Sequence, residues 1–105
     1  MQEKLLKIEQ KIARIKKELV NIGEMRPGSL TKQYQKPKEK KGGFYQLSYT
    51  HHMKSKTEYV RPEFIKDLRK QIAAFKRFRK LVQTWTDFAI EYSQLKFKLA
   101  KQKQQ

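Results

Sequence analysis

The feature that most limits the architecture is a run of apolar residues at alternating steps of three and four. Leu5, Ile8, Ile12, Ile15, Leu19 and Ile22 draw one apolar stripe along a helix over residues 1–23, with Lys, Arg, Glu and Gln on the other faces. Gly23 follows the last stripe residue and Pro27 comes shortly after, an arrangement that stops a helix. A stripe of this length does not stay in water. It pairs with a second copy or packs on a helix of its own chain, and the spacing admits both.

The last third of the chain predicts a longer helix over residues 62–100. Pro62 suits a first helical position, and Glu63 and Asp67 complement the positive end of the helix. Ile65, Leu68, Ile72 and Phe75 form one seam; Leu81, Trp85, Phe88, Tyr92, Leu95 and Leu99 form another. The two do not share a heptad phase. The slip falls in Lys76-Arg-Phe-Arg-Lys80, where a supercoil is locally over- or unwound, or where the helix changes partners. Residues 101–105, rich in Gln and Lys, are expected to fray.

Residues 24–61 differ in character. The run Lys36-Pro-Lys-Glu-Lys-Lys41 buries no apolar surface and is expected to be a solvated loop. After Gly42-Gly43, the stretch Phe44 to Thr50 alternates, putting Tyr45, Leu47 and Tyr49 on one face. Lys56-Thr-Glu-Tyr-Val60 is rich in strand formers, with His51 to Ser55 as a turn. A two-stranded hairpin alone is marginal in water, so its apolar face must rest on the helices. The expected fold is therefore mainly α with a small β-hairpin (α-β-β-α). It is a single domain spanning residues 1–105, in which an antiparallel helical pair or coiled coil carries a basic loop and hairpin between its helices.

Charge narrows the function. The 105 residues hold 26 Lys and Arg against 10 Asp and Glu, a net charge of +16, and only 37% are hydrophobic. A monomer core is then thin, and leftover seam surface is expected to drive a homodimer. The charge surplus opposes compaction unless a polyanion neutralises it, which puts nucleic acid ahead of a membrane surface or an acidic protein as partner. On the long helix the cations crowd the first half. Lys66, Arg69, Lys70, Arg77 and Lys80 recur at helical spacing away from Leu68, Ile72 and Phe75, whereas Leu81 to Leu95 contains no Lys or Arg. The loop adds Arg26, Lys32, Lys36, Lys38, Lys40 and Lys41, with Tyr34 among them. Such cations contact phosphates, which gives affinity without sequence information. Tyr34 or Phe44 suits stacking on an unpaired base, though packing is the plainer role for any one aromatic, and a solvated basic face is the plainer role for the cations.

Enzyme chemistry has little to stand on. His51 and His52 sit side by side with no acidic partner nearby in sequence, Glu58 and Glu63 have no motif company, and Gly42-Gly43 lacks the Lys-Ser/Thr of a phosphate loop. The absence of cysteine removes disulfides and thiolate metal sites, so neither cofactor nor metal is expected. No apolar stretch has signal-peptide or membrane-span length, so the expectation is a cytoplasmic protein, nucleoid-associated if it binds DNA, with no membrane partner.

The segments Ile22-Gly-Glu-Met-Arg-Pro-Gly-Ser-Leu-Thr-Lys-Gln-Tyr34, Gly43-Phe-Tyr-Gln-Leu-Ser-Tyr49 and Glu58-Tyr-Val-Arg-Pro62 resemble a family of small uncharacterised prokaryotic proteins. Its members are often encoded by or beside transposable elements. The resemblance covers residues 18–95 and implies DNA and a mobile-element setting, with a transposase or other larger protein as a further partner. The family carries a cysteine cluster between the positions of Tyr34 and Gly43. Lysines stand there in this chain, so no metal-binding role carries over. The reading is a nucleic-acid-binding accessory or architectural protein, DNA ahead of RNA. A coiled-coil adaptor for a protein partner and an RNA-binding component of a ribonucleoprotein remain as alternatives.

Overall fold

The computed structural model describes residues 2–36, 38, 39 and 41–103, with Lys41 as backbone only. Most of the chain is helical. Helix α1 (Gln2–Val20) is followed by strands β1 (Ser29–Lys36), β2 (Lys41–His51) and β3 (Lys54–Val60), a 3-10 turn at Pro62–Phe64, and helix α2 (Ile65–Lys103). The residues cluster into two compact units. One combines the chain up to Ile22 with the chain from Arg77 onward, and the other is the continuous stretch Gly23–Lys76.

The order α-β-β-β-α corrects the expected hairpin. Residues 29–36, whose composition suggests a loop, form a third strand, and the sheet is an antiparallel meander in the order β1-β2-β3. Lys32 and Lys36 make the segment look solvated. Yet Leu30 lies opposite Leu47 and is half-buried, and it is this cross-strand pairing, invisible in β1 taken alone, that makes the strand. The turn after β2 is also tighter than expected. His51 pairs with Lys54, which leaves only His52 and Met53 in the loop, both with positive φ (52° and 63°). That is the twist-matched two-residue turn of a hairpin, made here without the usual glycine or asparagine.

In the sheet unit, directly paired residues share a face. Leu47 is completely buried in the middle of one face and clusters with Val60 and with Leu68 and Ile72 of α2; Leu30, Tyr45, Tyr49 and Ile65 pack around them. The expectation that Tyr45, Leu47 and Tyr49 rest on the helices is met for α2 alone among the described residues. Gly28 is required for this packing. Its φ is +135°, and a Cβ there would stand 2.7 Å from Leu47 Cδ1 and 2.9 Å from the Ser48 carbonyl oxygen. The Gly-Ser-Leu motif is thus the point where the chain passes directly against its own core.

In the helical unit, Ile8 and Ile15 of α1 are buried and the other stripe residues are half-buried, as are Leu81, Trp85, Phe88, Tyr92, Leu95 and Leu99. The two seams face each other antiparallel. Tyr92 donates to Glu9 at 2.7 Å, Lys11 Nζ lies over the Phe88 ring, Lys16 Nζ over Trp85, and Arg77 pairs with Glu18. The phase slip at Lys76–Lys80 falls where α2 passes from one unit to the other, between Lys76 and Arg77. α1 stops at Val20, before Gly23, and α2 continues to Lys103, so residues 101–103 are helical where fraying was expected.

Candidate nucleic-acid interface

The cations predicted to touch phosphate fall in both units. In the sheet unit, Lys32, Lys36 and Lys38 and the α2 residues Lys66, Arg69 and Lys70 are all exposed, and none of the six forms an ion pair among the described residues. Lys32 stays beside aromatic rings, its Nζ 5.6 Å from the centroid of Tyr34 and 5.8 Å from that of Tyr45. Tyr34 itself is half-buried. Lys40 and the side chain of Lys41 lie outside the described residues.

Arg26 stands apart from this set. Its guanidinium donates to Glu58 Oε2 at 2.6 Å and sits over the Tyr49 ring, while its backbone N–H donates to the Gln71 carbonyl at 3.0 Å. Tyr49 Oη donates to the other Glu58 oxygen at 3.0 Å. The hydrogen bond from Arg26, then that from Tyr49, hold the Glu58 carboxyl below the ordinary glutamate range. Arg26 is therefore engaged in tying the start of β1 to β3 and α2, and its charge is already matched.

Arg77 and Lys80 belong to the helical unit. There they line a shallow cleft with Lys11, Arg14, Glu18 and Thr84, and Arg77 reaches Glu18 at 3.7 Å. Two further cations, Lys54 and Lys56 on β3, do not stand out in the sequence because no motif surrounds them; both are exposed. Lys76, also exposed, lines a depression with Arg69 against Gly28, Ser29 and Leu30 at the start of β1.

The pairing register reveals a second surface that the sequence alone does not mark. The sheet face opposite Leu47 carries Ser29, Thr31 and Gln33 on β1, Gln46 and Ser48 on β2 and Thr57 on β3, with Phe44 and Tyr59 beside them. The Phe44 and Tyr59 ring centroids are 6.4 Å apart, and Tyr59 is 65% exposed. Among the described residues no charged side chain occupies this face. The signal that points to it is the alternation in Phe44–Thr50, once extended to β1 and β3.

Comparison with known proteins gives no match: no family model, curated sequence or solved structure corresponds to this chain. Among the described residues no helix is long and apolar enough to cross a membrane.

Proposed function

We propose that this protein is a non-enzymatic nucleic-acid-binding accessory or architectural factor of the cytoplasm or nucleoid that prefers DNA to RNA. The observation that carries this reading is the set of exposed cations without carboxylate partners among the described residues, Lys32, Lys36, Lys38, Lys66, Arg69 and Lys70, all within one compact unit. Unpaired cations gathered on a small folded body favour a polyanion, because binding releases the polyanion's condensed counterions. The resemblance in the Gly-Ser-Leu and Tyr-Val segments supports a mobile-element setting, with a transposase or similar protein as a further partner. A homodimer through the helical unit is part of the same reading. Val82 and Ile90 are exposed on α2 beside Trp85 and Ala89, an apolar strip suited to a second copy of the helix in coiled-coil fashion. Sedimentation showing only monomer at micromolar concentration would remove that part.

The test of the binding itself is a charge swap at constant fold. Replacing Lys66, Arg69 and Lys70 with Gln keeps helix propensity and leaves Leu68 and Ile72 untouched. Affinity for duplex DNA should fall for every sequence alike, and the slope of log affinity against log salt should flatten by roughly 0.9 for each phosphate no longer neutralised. The same replacement at Lys96, Lys98 and Lys101 should change little. Equal weakening in the two variants would mean that the charge acts diffusely. Unchanged binding in both would leave the protein-adaptor reading in front.

A further inference from the structure

The uncharged sheet face has a composition that the rest of the chain does not share. With 34% of all residues charged, three adjacent strands that alternate Ser, Thr and Gln outward with no Lys, Arg, Asp or Glu among the described residues are not what composition alone delivers. Every strand lysine whose side chain is described stands on the opposite face: Lys32 and Lys36 on β1, Lys54 and Lys56 on β3. Both of these are outer strands.

We propose that the face carrying Thr31, Gln33, Gln46, Ser48 and Thr57 enters the major groove of duplex DNA and reads base edges there. The inference rests on the nucleic-acid reading above and adds which surface discriminates sequence. Three observations carry it. The first is chemical. Each glutamine amide presents a donor and an acceptor together, the pattern that fits the N6 and N7 edge of adenine, and hydroxyls of Ser and Thr match either donor or acceptor positions. The Phe44 and Tyr59 rings on the same face offer apolar contact to a thymine methyl group.

The second is size. Two inter-strand spacings of about 4.8 Å set the axes of the outer strands roughly 10 Å apart, so the middle strand and the inner edges of its neighbours match the major groove of B-form DNA at about 12 Å. The deep, narrow major groove of A-form RNA does not admit it. The third is where the charge lies. A sheet lowered into a groove about 8.5 Å deep has a phosphate ridge rising on either side of it. Lys36 on β1 and Lys54 and Lys56 on β3, directed away from the reading face, then lie beside those ridges, whereas Lys32 turns inward over the Tyr45 ring of β2. Arg69 and Lys76, next to Gly28, Ser29 and Leu30, add to the β1 side. Leu47, fully buried beneath the middle strand, keeps the reading face from yielding.

The test uses the full chain and a pool of random-sequence duplexes two helical turns long, carried through rounds of selection. The wild type should enrich a short motif that includes adenine–thymine pairs. The variant Gln33→Ala, Gln46→Ala, Thr57→Ala should keep its melting temperature and its affinity for random-sequence duplex, and lose about tenfold or more of its preference for the motif. If the wild type binds random duplex but enriches nothing, or if the variant keeps the preference, the sheet does not read sequence, and phosphate binding stands without it. Tighter binding to an oligo(dT) single strand than to duplex also overturns the proposal, because Phe44 and Tyr59 would then be a stacking platform. Absence of binding to any DNA defeats this proposal and the nucleic-acid reading together.

Discussion

The two compact units carry the same charge and use it differently. By sequence each holds thirteen Lys and Arg against five Asp and Glu, so each is +8. The sheet unit has a core of its own, with Leu47 fully enclosed and one face free of charge among the described residues. Among its described residues the helical unit buries only Ile8 and Ile15 and leaves Leu6, Val20, Val82, Ile90 and Phe97 exposed. A meander over a helix sorts its residues onto two faces by strict alternation, which separates apolar, neutral and basic side chains into distinct surfaces. Two antiparallel helices packed together have one apolar stripe each and leave everything else around the circumference, so charge and exposed apolar surface interleave. Equal charge is therefore a diffuse property in one unit and a placed one in the other.

The strongest way to break this contrast is at Leu47. Replacing it with Asp puts an unpaired carboxylate into the enclosed centre of the sheet unit and should cost about 3 kcal/mol or more. Thermal melting followed by circular dichroism reads the destabilisation. An unchanged transition would place Leu47 in solvent and remove the claim that the sheet unit has the firmer core.

A smaller effect, of opposite sign, is expected at the β2–β3 turn. His52 and Met53 hold positive φ without a glycine, and Met53 is fully exposed, so it contributes no packing that a substitution would remove. His52→Asn with Met53→Gly should stabilise the sheet unit by about 1 kcal/mol. A shift to lower melting temperature would show that these side chains are engaged in something the fold itself does not require.

The smallest effects separate the units by pH. Glu58 titrates below its ordinary range because of Arg26 and Tyr49, so its contribution is present above the ordinary glutamate value and is lost as pH falls through the lowered one. Tyr92 titrates above its ordinary range because its hydroxyl donates to Glu9, so its contribution is present below the ordinary tyrosine value and is lost as pH rises through the raised one. The sheet unit should weaken in acid and the helical unit in alkali. Glu58→Gln should blunt the acid response and Tyr92→Phe the alkaline one, each followed by melting across the pH range. Both changes are small, since the groups concerned are partly or fully exposed.

Much of this architecture is legible in the chain itself. The stripes Leu5–Ile22, Ile65–Phe75 and Leu81–Leu99 are the surfaces that pack, and the phase slip after Phe75 marks the unit boundary, because 3.6-residue periodicity is a local property. Strand β1 is not legible. Its Lys32 and Lys36, bracketed by Pro27 and Pro37, suggest a loop, and only pairing with β2 makes Thr31, Gln33 and their neighbours one face of a sheet. The role of Arg26 is hidden for the same reason, since Glu58 lies 32 residues away in sequence. Charge alone suffices to expect that the lysines of β1 and α2 are exposed, but the neutral face beside them requires register.

The hydrogen bond from the Arg26 backbone N–H to the Gln71 carbonyl oxygen, with the Gln71 amide donating to Glu24 at 3.1 Å, has a consequence for the order of folding. The sheet unit is continuous in sequence, and its strands pair only with chain neighbours, so its strand pairings close through short loops. The helical unit is discontinuous. Ile8 and Ile15 must find partners beyond Arg77, across the whole of the intervening chain, and that closure carries the entropy of a long loop. Once residues near positions 24–26 are bound to residue 71, the free loop between the two halves of the helical unit is only a few residues on each side. The meander then acts as a clasp that converts a distant helix encounter into a nearly local one.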